Sequence, residues 1–289
     1  MKIYLDGKFV DKKNAKISIF DHGLLYGDGV FEGIRSYNWL VFKLKEHIDR
    51  LYRSASAIRL KIPMSKKKMI GIVKTALRKN NLKDAYVRLV VTRGVGDLGL
   101  DPRKCRRGAT IFIIADKIAL YPKRFYDKGL KIITAKTRRN SPEALDPRIK
   151  SLNYLNNILA KIESIDAGAQ EAIMLTNDGF VAECTGDNLF IVDNRTVISP
   201  PVKAGALDGI TRGAVIKLAR KKGLRFKERM LVLNDLLKAD ECFLTGTAAE
   251  IIPVIKIDKQ RIGKGKPGPV TNLLLNEYRK LTSVDGIRY

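Results

Sequence analysis

The sequence predicts an α+β protein with two domains. Short apolar runs of strand length recur along the chain, and the segments between them carry apolar residues at helical spacing. The 289 residues are enough for one large domain or two ordinary ones. A stretch of mixed polarity at about 115–129, which contains Pro122, is the best candidate for a connection between domains. We therefore predict two domains of mixed α and β structure, divided near residue 122.

The N-terminal part of the chain predicts strands first and helices second. IYLDGKFV has a D-G turn between apolar residues, a good signal of a hairpin, and GVFEGIRSYNWLVFKL adds two strand-like runs. In EHIDRLYRSASAIRL the apolar residues repeat at helical spacing from Ile48 to Ile58. Ser65 is a candidate cap for a second helix that runs to about Asn80. AYVRLVVTRG and ATIFIIADK follow as two buried strands.

The C-terminal part predicts hairpins separated by helices. LKIITAKTRR begins a new strand, and a helix containing Tyr154 runs to about Ala167. EAIMLTNDGFVAE and NLFIVDNRTVISP resemble hairpins, because polar turn residues divide each of them into two apolar runs. GITRGAVIKLARKKG predicts a helix that ends at Gly223. ECFLTGTAAEIIPVIKI returns to strand, and a helix near 270–281 closes the chain.

The net charge of +25 raises the question of nucleic-acid binding. The basic residues are spread over every segment, in groups such as SKKKMIGIVKTALRKN, and do not form one stripe or tail. No helix-turn-helix, RNP or zinc-finger pattern accompanies them. The distribution favours solvated basic faces that attract anionic small ligands, and we predict no nucleic-acid partner.

The cysteines, histidines and apolar runs bound the other classes of function. Cys105, Cys184 and Cys242 lie far apart, which favours reduced thiols in a reducing compartment. The histidines, His22 and His47, are not clustered with cysteines, so a zinc or iron site is not predicted. No apolar run approaches the roughly 20 residues of a membrane-spanning helix. We therefore predict a cytoplasmic protein with no metal and no membrane association.

Lys150, in DPRIKSLNYLNN, precedes a predicted helix and is either an ordinary surface charge or a reactive amine. A lysine that reacts covalently needs an electropositive or apolar pocket that favours its neutral form. If it carries pyridoxal phosphate, an acid must pair with the pyridine nitrogen, and another group must hold the phosphate. The rest of the chain must therefore supply an acid and an anion site.

Three downstream stretches offer those groups. Glu183 ends an apolar strand in FVAECTGDNLFIV, although most glutamates in such a place face solvent. The helix start at Gly209, Ile210 and Thr211 presents unpaired N–H groups that suit a phosphate, although Thr211 is also an ordinary helix-start residue. FLTGTAAEI places a third polar turn, 245–249, after a buried strand, where backbone N–H groups can approach a ligand closely.

Five motifs together resemble a known family. They are HGLLYGDGVFEGIR, the lysine in KSLNYL, VAECTGDNLF, LDGITR and LTGTAAEIIPV, in this order along nearly the whole chain. The chain is similar to the fold-type IV pyridoxal-phosphate enzymes, the class IV aminotransferases. The resemblance implies a small N-terminal α/β domain over 1–121 and a larger, β-rich C-terminal domain over 122–289. It also implies pyridoxal 5'-phosphate as the cofactor.

The resemblance implies a role for each matching residue. Lys150 would be the Schiff-base lysine and the proton carrier between Cα and C4′. Glu183 would keep the pyridine nitrogen protonated, and Tyr154 would hydrogen-bond O3′. Tyr154 follows Lys150 by four residues, whereas in some bacterial branched-chain enzymes the matching lysine and tyrosine are one residue further apart. The phosphate contacts and the residue packed on the ring face would be Arg50, Ile210, Thr211, Thr247 and Leu207.

The N-terminal half indicates the member of the family. Tyr86 and Arg88 form a Y-x-R arrangement that resembles the branched-chain group, where the tyrosine binds the substrate α-carboxylate and the arginine accepts the distal carboxylate of glutamate. Without the family, these residues would be an ordinary strand alternation. GVGDLGLDP, 94–102, resembles a loop that closes on the site of a neighbouring subunit. The other implied substrate contacts are Tyr26, Phe31, Gly33, Thr247 and Ala248.

The resemblance therefore implies transamination of L-leucine, L-isoleucine or L-valine with 2-oxoglutarate, in ping-pong order. Small-molecule amino acids and 2-oxo acids would be the substrates, and the chain would form a homodimer or a larger assembly of dimers. D-amino-acid transamination and aminodeoxychorismate lyase activity are alternatives on the same fold. A basic nucleic-acid-binding protein on a degenerate enzyme fold is the alternative from a different class.

Overall fold

The computed structural model describes residues 1–117 and 121–289. The chain divides into two compact units. The first consists of Met1–Ile118, Ile149–Asn153 and Thr282–Tyr289, and the second of Ala119–Arg148 and Tyr154–Leu281. The α+β fold class with two domains is confirmed, because each unit combines a large sheet with helices. Residues 118–120 of the predicted interdomain loop lie outside the described residues, and the division at 121/122 stays a prediction.

The first unit also contains two segments from the C-terminal half of the sequence. Residues 149–153 pair with a strand of this unit: Phe31 N–H donates to the Lys150 carbonyl at 3.0 Å, and Leu152 N–H donates to the Gly29 carbonyl at 3.0 Å. The segment 286–288 pairs with the strand Leu40–Phe42. Long-range pairing therefore joins these two pieces of the C-terminal half to the sheet of the first unit.

Among the described residues, the first unit has one seven-stranded antiparallel sheet, in which the spatial order of the strands differs from their order along the chain. Its strands, in spatial order, are β16 (Gly286–Arg288), β4 (Leu40–Phe42), β3 (Gly29–Tyr37), β5 (Ala85–Thr92), β6 (Ile111–Asp116), β1 (Lys2–Leu5) and β2 (Lys8–Asp11). Its helices are α1 (His22–Tyr26), α2 (Leu44–Ala57) and α3 (Lys66–Lys79), with 3-10 turns at Lys12–Asn14 and Pro102–Lys104.

The two faces of this sheet carry different chemistry. Side chains alternate along a strand, and residues directly opposite each other on paired strands share a face. One face packs on α2 and α3 and forms the core, with Ile34 and Leu89 among its fully buried members. The register Gly33↔Arg88 and Arg35↔Tyr86 puts three of the predicted substrate residues, Gly33, Tyr86 and Arg88, on the opposite face. The alternation therefore separates packing residues from site residues.

Within the described residues, the second unit contains a nine-stranded sheet. Its path is β12 (Arg225–Glu228), β11 (Thr196–Ser199), β10 (Asn188–Asp193), β13 (Glu241–Gly246), β14 (Glu250–Ile257), β7 (Leu130–Thr134), β8 (Glu171–Leu175) and β9 (Val181–Cys184), with β15 (Gln260–Arg261) on β14. Its helices are α4 (Lys123–Lys128), α5 (Leu155–Asp166), α6 (Ile210–Lys221), α7 (Leu233–Leu237) and α8 (Pro269–Thr282), with a 3-10 turn at Val202–Ala204.

Most predicted helix ends are close to those observed. The Ser65 side chain caps α3 by accepting from Lys68 N–H at 3.2 Å. Gly223 follows the end of α6 with φ +71°, the left-handed conformation that glycine adopts without strain. The short helix α4 was not predicted, because its six residues follow Pro122 inside the stretch interpreted as a connection. In the described part of the chain, no helix is long and apolar enough to cross a membrane.

Candidate active site

Lys150 is held at its backbone by two elements of the first unit. Its carbonyl accepts from Phe31 N–H, and its own N–H donates to Ser54 Oγ of α2 at 3.1 Å. Its Nζ lies 4.5 Å from the centre of the Phe31 ring. The side chain is partly buried. The Lys150 backbone is thus fixed by hydrogen bonds on both sides of its Cα, and its Nζ lies over an aromatic ring on the sheet face opposite the core.

Three other predicted substrate residues, Gly33, Tyr86 and Arg88, lie on the same face of the sheet as that ring. The Arg88 guanidinium carbon lies 4.6 Å from the centre of the Phe31 ring, and Arg88 Nη2 donates to Tyr86 Oη at 3.4 Å. Gly33 lies opposite Arg88, and a Cβ at position 33 would come within 1.9 Å of Tyr86 Oη. Phe31, Gly33, Tyr86 and Arg88 therefore form one aromatic and cationic patch next to Lys150.

Tyr26 contacts the loop 94–102 of its own chain. Tyr26 Oη donates to the Leu98 carbonyl, and His22 Nε2 lies 2.8 Å from the Asp97 carbonyl oxygen. The His22 and Tyr26 rings meet edge to face with centres 5.0 Å apart. Leu98 itself is exposed. Helix α1 therefore anchors this loop and leaves its apolar tip on the surface.

Arg50 takes part in a buried charged cluster. Arg50 Nε and Nη2 donate to the two carboxylate oxygens of Glu32 at 2.7 and 2.8 Å, and His47 Nδ1 lies 2.8 Å from Glu32 Oε2. Burial raises the pKa of Glu32, but the charge and hydrogen bonds of Arg50, and then of His47, outweigh it and lower the pKa to about 2. Burial is also the main cause that lowers the pKa of His47.

Glu32, His47 and Ser54 have no role predicted from the sequence, although the sequence carries signals that these residues are special. Glu32 is a charge inside the apolar run of β3 and points to the core face. His47, Arg50 and Ser54 are spaced three and four residues apart, so they form a polar stripe on the buried face of the amphipathic helix α2. Polar residues at positions that the periodicity assigns to the core indicate a functional or paired group.

In the second unit, Glu183 is the centre of a buried network. Arg139 Nη2 donates to Glu183 Oε1 at 2.8 Å. Asn188 Nδ2 and the Leu207 backbone N–H donate to Glu183 Oε2 at 3.1 and 3.0 Å. Arg139 is fixed further by the Gly205 carbonyl at 3.1 Å and by Asn157 Oδ1 at 2.7 Å. The predicted acid is therefore held in one orientation by donors.

The start of α6 has the features of an anion site. Gly209 is the N-cap residue and supplies no side-chain hydrogen bond to the first turn, within the described residues. A Cβ at position 209 would lie 2.0 Å from Asn188 Oδ1, so the helix start approaches the Glu183 network closely. Thr211 is buried in this first turn. Open backbone N–H groups and the positive end of a helix dipole attract a negatively charged group.

The turn between β13 and β14 contains the last predicted residues. Thr247 and Ala248 are partly exposed, and Tyr126 Oη donates to the neighbouring Ala249 carbonyl at 3.0 Å. A Cβ at Gly246 would lie 1.9 Å from Asp187 Oδ1. The Thr245 hydroxyl is buried without a hydrogen-bond partner in the described part of the chain. The turn is thus closely packed on one side and open at Thr247 and Ala248.

The predicted site residues therefore form two sets, one in each unit. The first unit carries Lys150, Arg50, Tyr26, Phe31, Gly33, Tyr86 and Arg88. The second unit carries Glu183, Tyr154, Leu207, Ile210, Thr211, Thr247 and Ala248. Tyr154 is the N-cap residue of α5, and its carbonyl accepts from Ile158 N–H at 2.9 Å. Chemically, the first set offers an amine beside cationic and aromatic groups, and the second offers a buried acid and an anion site.

A family model decides the affiliation of the chain. The model "Amino-transferase class IV" matches residues 29–257, well over half of the chain. The chain belongs to the class IV aminotransferases. This result agrees with the resemblance that the five sequence motifs carry, since four of those motifs lie entirely within the matched range and the first overlaps it.

Relatives within the class IV aminotransferases match the chain over nearly its full length. A Methanocaldococcus jannaschii protein, provisionally named a branched-chain-amino-acid aminotransferase, is 54% identical over 288 residues and covers 100% of this chain and 99% of its own. A D-alanine aminotransferase of Bacillus licheniformis is 37% identical over 277 residues and covers 94% of this chain and 93% of its own. Sequence similarity thus includes relatives named for branched-chain amino acids and a relative named for D-alanine.

Solved class IV aminotransferase structures share the fold. The Escherichia coli branched-chain amino acid aminotransferase is 34% identical, with a TM-score of 0.95, and covers 99% of this chain and 96% of its own. The T.th. enzyme of the same name, complexed with N-(5'-phosphopyridoxyl)-L-glutamate, is 36% identical, with a TM-score of 0.92, and covers 98% of this chain and 94% of its own. The fold-type IV architecture implied by the motifs is confirmed.

Proposed function

We propose that this chain is a pyridoxal-phosphate-dependent aminotransferase that exchanges amino groups between L-branched-chain amino acids and 2-oxoglutarate. The observation that carries the proposal is the patch formed by Tyr86, Arg88 and Phe31 on the same sheet face as Lys150. An aromatic wall accepts an aliphatic side chain, and an arginine accepts a carboxylate, so one patch serves both substrates in turn.

The chain's own residues have the chemical groups that pyridoxal phosphate requires, namely an acid for the ring nitrogen and N–H donors for the phosphate. Glu183 is a buried acid held by Arg139, Asn188 and Leu207 N–H, as an acid that pairs with a ring nitrogen requires. The start of α6 at Ile210 and Thr211 supplies N–H groups for a phosphate, and we assign Arg50 and Thr247 to the same phosphate. Leu207 would pack on the ring, and Tyr154 would bind its phenolic oxygen.

Pyridoxal phosphate, when bound, supplies an electron sink that weakens the bonds at the substrate Cα. Lys150 binds the cofactor through its Nζ and then moves the proton at the substrate Cα, which is the role that we propose for it. Tyr86 and Arg88 bind substrate carboxylates, and Phe31 excludes water from the aliphatic side chain. Because both substrates use the same residues, we propose that they react one after the other in ping-pong order.

D-amino-acid transamination is the alternative function to consider, because the chain is also similar to the Bacillus licheniformis D-alanine aminotransferase. D-specific enzymes tend to have an R-x-H arrangement where this chain has Tyr86 and Arg88. Both histidines of this chain are used elsewhere: His47 contacts Glu32, and His22 contacts the Asp97 carbonyl. This arrangement supports the L-branched-chain assignment.

We also propose that copies of the chain associate, as a homodimer or an assembly of dimers. Helix α5 exposes an apolar stripe at helical spacing, and each side chain of the stripe is 47–67% exposed. The stripe consists of Leu155, Ile158, Leu159, Ile162 and Ile165. A second copy is a suitable occupant, because two chains of net charge +25 can approach through a stripe that carries no basic residue. Cytoplasmic residence stays a prediction.

A single-turnover absorbance experiment tests the proposed function. Purified protein is saturated with pyridoxal phosphate, L-leucine and D-alanine are added separately, and the visible band of the bound cofactor is followed as it converts to the pyridoxamine form. We expect rapid conversion by L-leucine, little by D-alanine, and regeneration by 2-oxoglutarate. Lys150→Ala should show neither the band nor the conversion.

Each other outcome has a distinct meaning. Conversion by D-alanine alone would keep the aminotransferase and overturn the L-branched-chain assignment. No visible band in the wild-type protein would contradict the cofactor. Together with binding to RNA or DNA that falls steeply with salt, it would favour a nucleic-acid-binding protein.

A further inference from the structure

Arg139 is a buried arginine to which neither the motifs nor the family resemblance assigns a role. Only 7% of it is exposed, and it is fixed at three points: Nε by the Gly205 carbonyl, Nη1 by Asn157 Oδ1, and Nη2 by Glu183 Oε1. Asn157 is fixed in turn, because its Nδ2 donates to the Thr185 carbonyl at 2.8 Å. The guanidinium group is therefore aimed at Glu183 by the protein around it.

A buried ion pair of this kind is weak evidence for a stabilising role. Removing two charges from water has a large cost in free energy, and an apolar pair of the same volume is often equally stable or more stable. Three fixed contacts to one guanidinium group give orientation, which a purely stabilising pair does not require. The geometry of the Arg139–Glu183 pair therefore fits a role in the proton chemistry of Glu183.

We propose that Arg139 is a positioning residue that keeps Glu183 ionised, so that the proton shared by Glu183 and the cofactor's pyridine nitrogen stays on the nitrogen. This inference rests on the proposed function. A carboxylic acid and a pyridine nitrogen compete for one proton, and a guanidinium group 2.8 Å from the carboxylate stabilises its charged form. Arg139 thus acts through Glu183 on the ring that Glu183 binds.

The other groups around Glu183 support the same proton position. Asn188 Nδ2 and Leu207 N–H are neutral donors, and both favour the charged carboxylate. Burial is the main cause that raises the pKa of the neighbouring Cys184 thiol well above its usual range, so that this group stays neutral. Glu171 is bonded separately by Thr185 Oγ1 at 2.5 Å and by Ala172 N–H at 2.8 Å. Arg139 supplies the positive charge that balances Glu183.

The first test uses the apoprotein and needs no cofactor. Carbon-13 NMR of protein labelled at the glutamate carboxyl carbons, with Glu183 assigned by the Glu183→Gln spectrum, follows proton uptake as the pH is lowered. In Arg139→Met, we expect Glu183 to take up its proton at least about one pH unit higher than in wild type, about tenfold in proton affinity, because an opposite charge at this distance shifts a carboxyl group by about 1–3 units.

The second test locates the proton in the loaded protein. Nitrogen-15 NMR of protein reconstituted with ring-labelled pyridoxal phosphate distinguishes a protonated from a neutral pyridine nitrogen. We expect a protonated ring in wild type and a shift toward the neutral ring in Arg139→Met. Arg139→Lys keeps a positive charge and should restore most of the protonated signal, whereas a role in packing alone would not depend on charge.

Arg138 offers a matched control. It is the adjacent arginine, it is exposed, and its backbone carbonyl, not its side chain, accepts from Asn156 Nδ2 at 2.8 Å. Arg138→Met should leave both NMR signals at their wild-type values. An Arg139→Met protein whose Glu183 titrates as in wild type, or whose ring stays protonated, would overturn the proposal.

The outcomes also separate this inference from the proposed function. If the wild-type protein does not bind pyridoxal phosphate, the proposed function fails, while the apoprotein titration still tests the effect of Arg139 on Glu183. If Arg139→Met does not fold, the wild-type titration decides alone. Proton uptake by Glu183 at or above the ordinary glutamate value of about 4.3 in wild-type apoprotein would then contradict the inference.

Discussion

Gly33 lies so close to Tyr86 that a Cβ at position 33 would come within 1.9 Å of Tyr86 Oη. The two residues are on neighbouring strands, β3 and β5, and Tyr86 Oη also accepts from Arg88 Nη2. The absence of a side chain at position 33 therefore gives the Tyr86 hydroxyl its place over the sheet and beside Arg88.

We expect Gly33→Ala to weaken substrate binding more than it weakens the fold. The new methyl group displaces the far end of the Tyr86 side chain, so the hydroxyl loses its position next to Arg88. The KM for L-leucine should rise by about 10-fold or more, since a lost hydrogen bond to a charged group costs about 1.5–3 kcal/mol. Steady-state kinetics and thermal melting on the same protein check this expectation.

Gly71→Ala is the matched control for that substitution. Gly71 lies in α3, and a Cβ there meets no atom within 4 Å. We expect unchanged kinetics and a gain in stability of about 0.5–1 kcal/mol, because alanine has the higher helix propensity. A Gly33→Ala protein with wild-type kinetics would contradict the assignment of Tyr86 to substrate binding.

The Glu32 cluster predicts a loss of stability in acid. The pKa of Glu32 is about 2 in the folded protein, against an ordinary value of 4.5. Its stabilising contribution is therefore complete above about pH 4.5 and is lost as the pH falls toward 2, a change of order 3 kcal/mol. The pKa of His47 is also lowered in the folded protein, because burial disfavours the charged imidazole. His47 therefore also reduces the stability of the fold as the pH falls below the ordinary histidine pKa of 6.5.

Urea unfolding of wild type and Glu32→Gln at several pH values between 3 and 6 measures this effect. We expect Glu32→Gln to be less stable at pH 6, because Arg50 is left buried with a weaker partner, and to lose less stability than wild type as the pH falls. Parallel pH dependences for the two proteins would show that Glu32 does not carry the acid sensitivity.

The sequence predicted the elements well because their signals are local. Ser65 precedes α3 as a cap, and the apolar spacing from Ile48 to Ile58 reports the buried face of α2. The motifs also pointed to Lys150 and Glu183 as individual residues. What the sequence could not give is the long-range pairing that brings 149–153 beside β3, since the pairing partner lies more than 100 residues earlier in the chain.

The partners of the predicted site residues are harder to infer from the sequence than the predicted site residues themselves. Arg139 follows Arg138, and nothing in the local pattern tells the buried arginine from the exposed one. Their difference arises from the loop around Gly205 and from Asn157 on α5, which are distant in sequence. Glu32 and Ser54, by contrast, could have been found, because each is a polar residue at a position that the periodicity assigns to the core.

The hydrogen bond between Ser54 and the Lys150 backbone leads to a prediction about cofactor binding. Its Oγ accepts from Lys150 N–H, and Ser54→Ala leaves that N–H without this acceptor at a cost of about 1–3 kcal/mol. We expect slower capture of pyridoxal phosphate by Lys150, followed as the growth of the visible band after mixing. Ser56→Ala, at an exposed position of the same helix, should behave as wild type. Equal rates for all three proteins would exclude Ser54 from positioning the lysine.

The apolar stripe of α5 predicts how the chain assembles. Ile158 and Leu159 lie in the middle of the stripe, and both are about half exposed. If a second copy covers them, Ile158→Glu places a charge in a desolvated contact, which costs several kcal/mol per interface. We therefore expect the variant to form smaller oligomers than wild type at micromolar concentration. Sedimentation velocity measures the assembly state directly.

A charge on the surface of another helix separates interface disruption from the effect of charge itself. Ser56→Glu introduces the same charge at an exposed position of α2 and should sediment as wild type. Ile158→Glu should remain folded by circular dichroism, because the side chain is on the surface of its own chain. If Ile158→Glu sediments as wild type, the stripe is not a contact between copies, and association, where it occurs, must use another face.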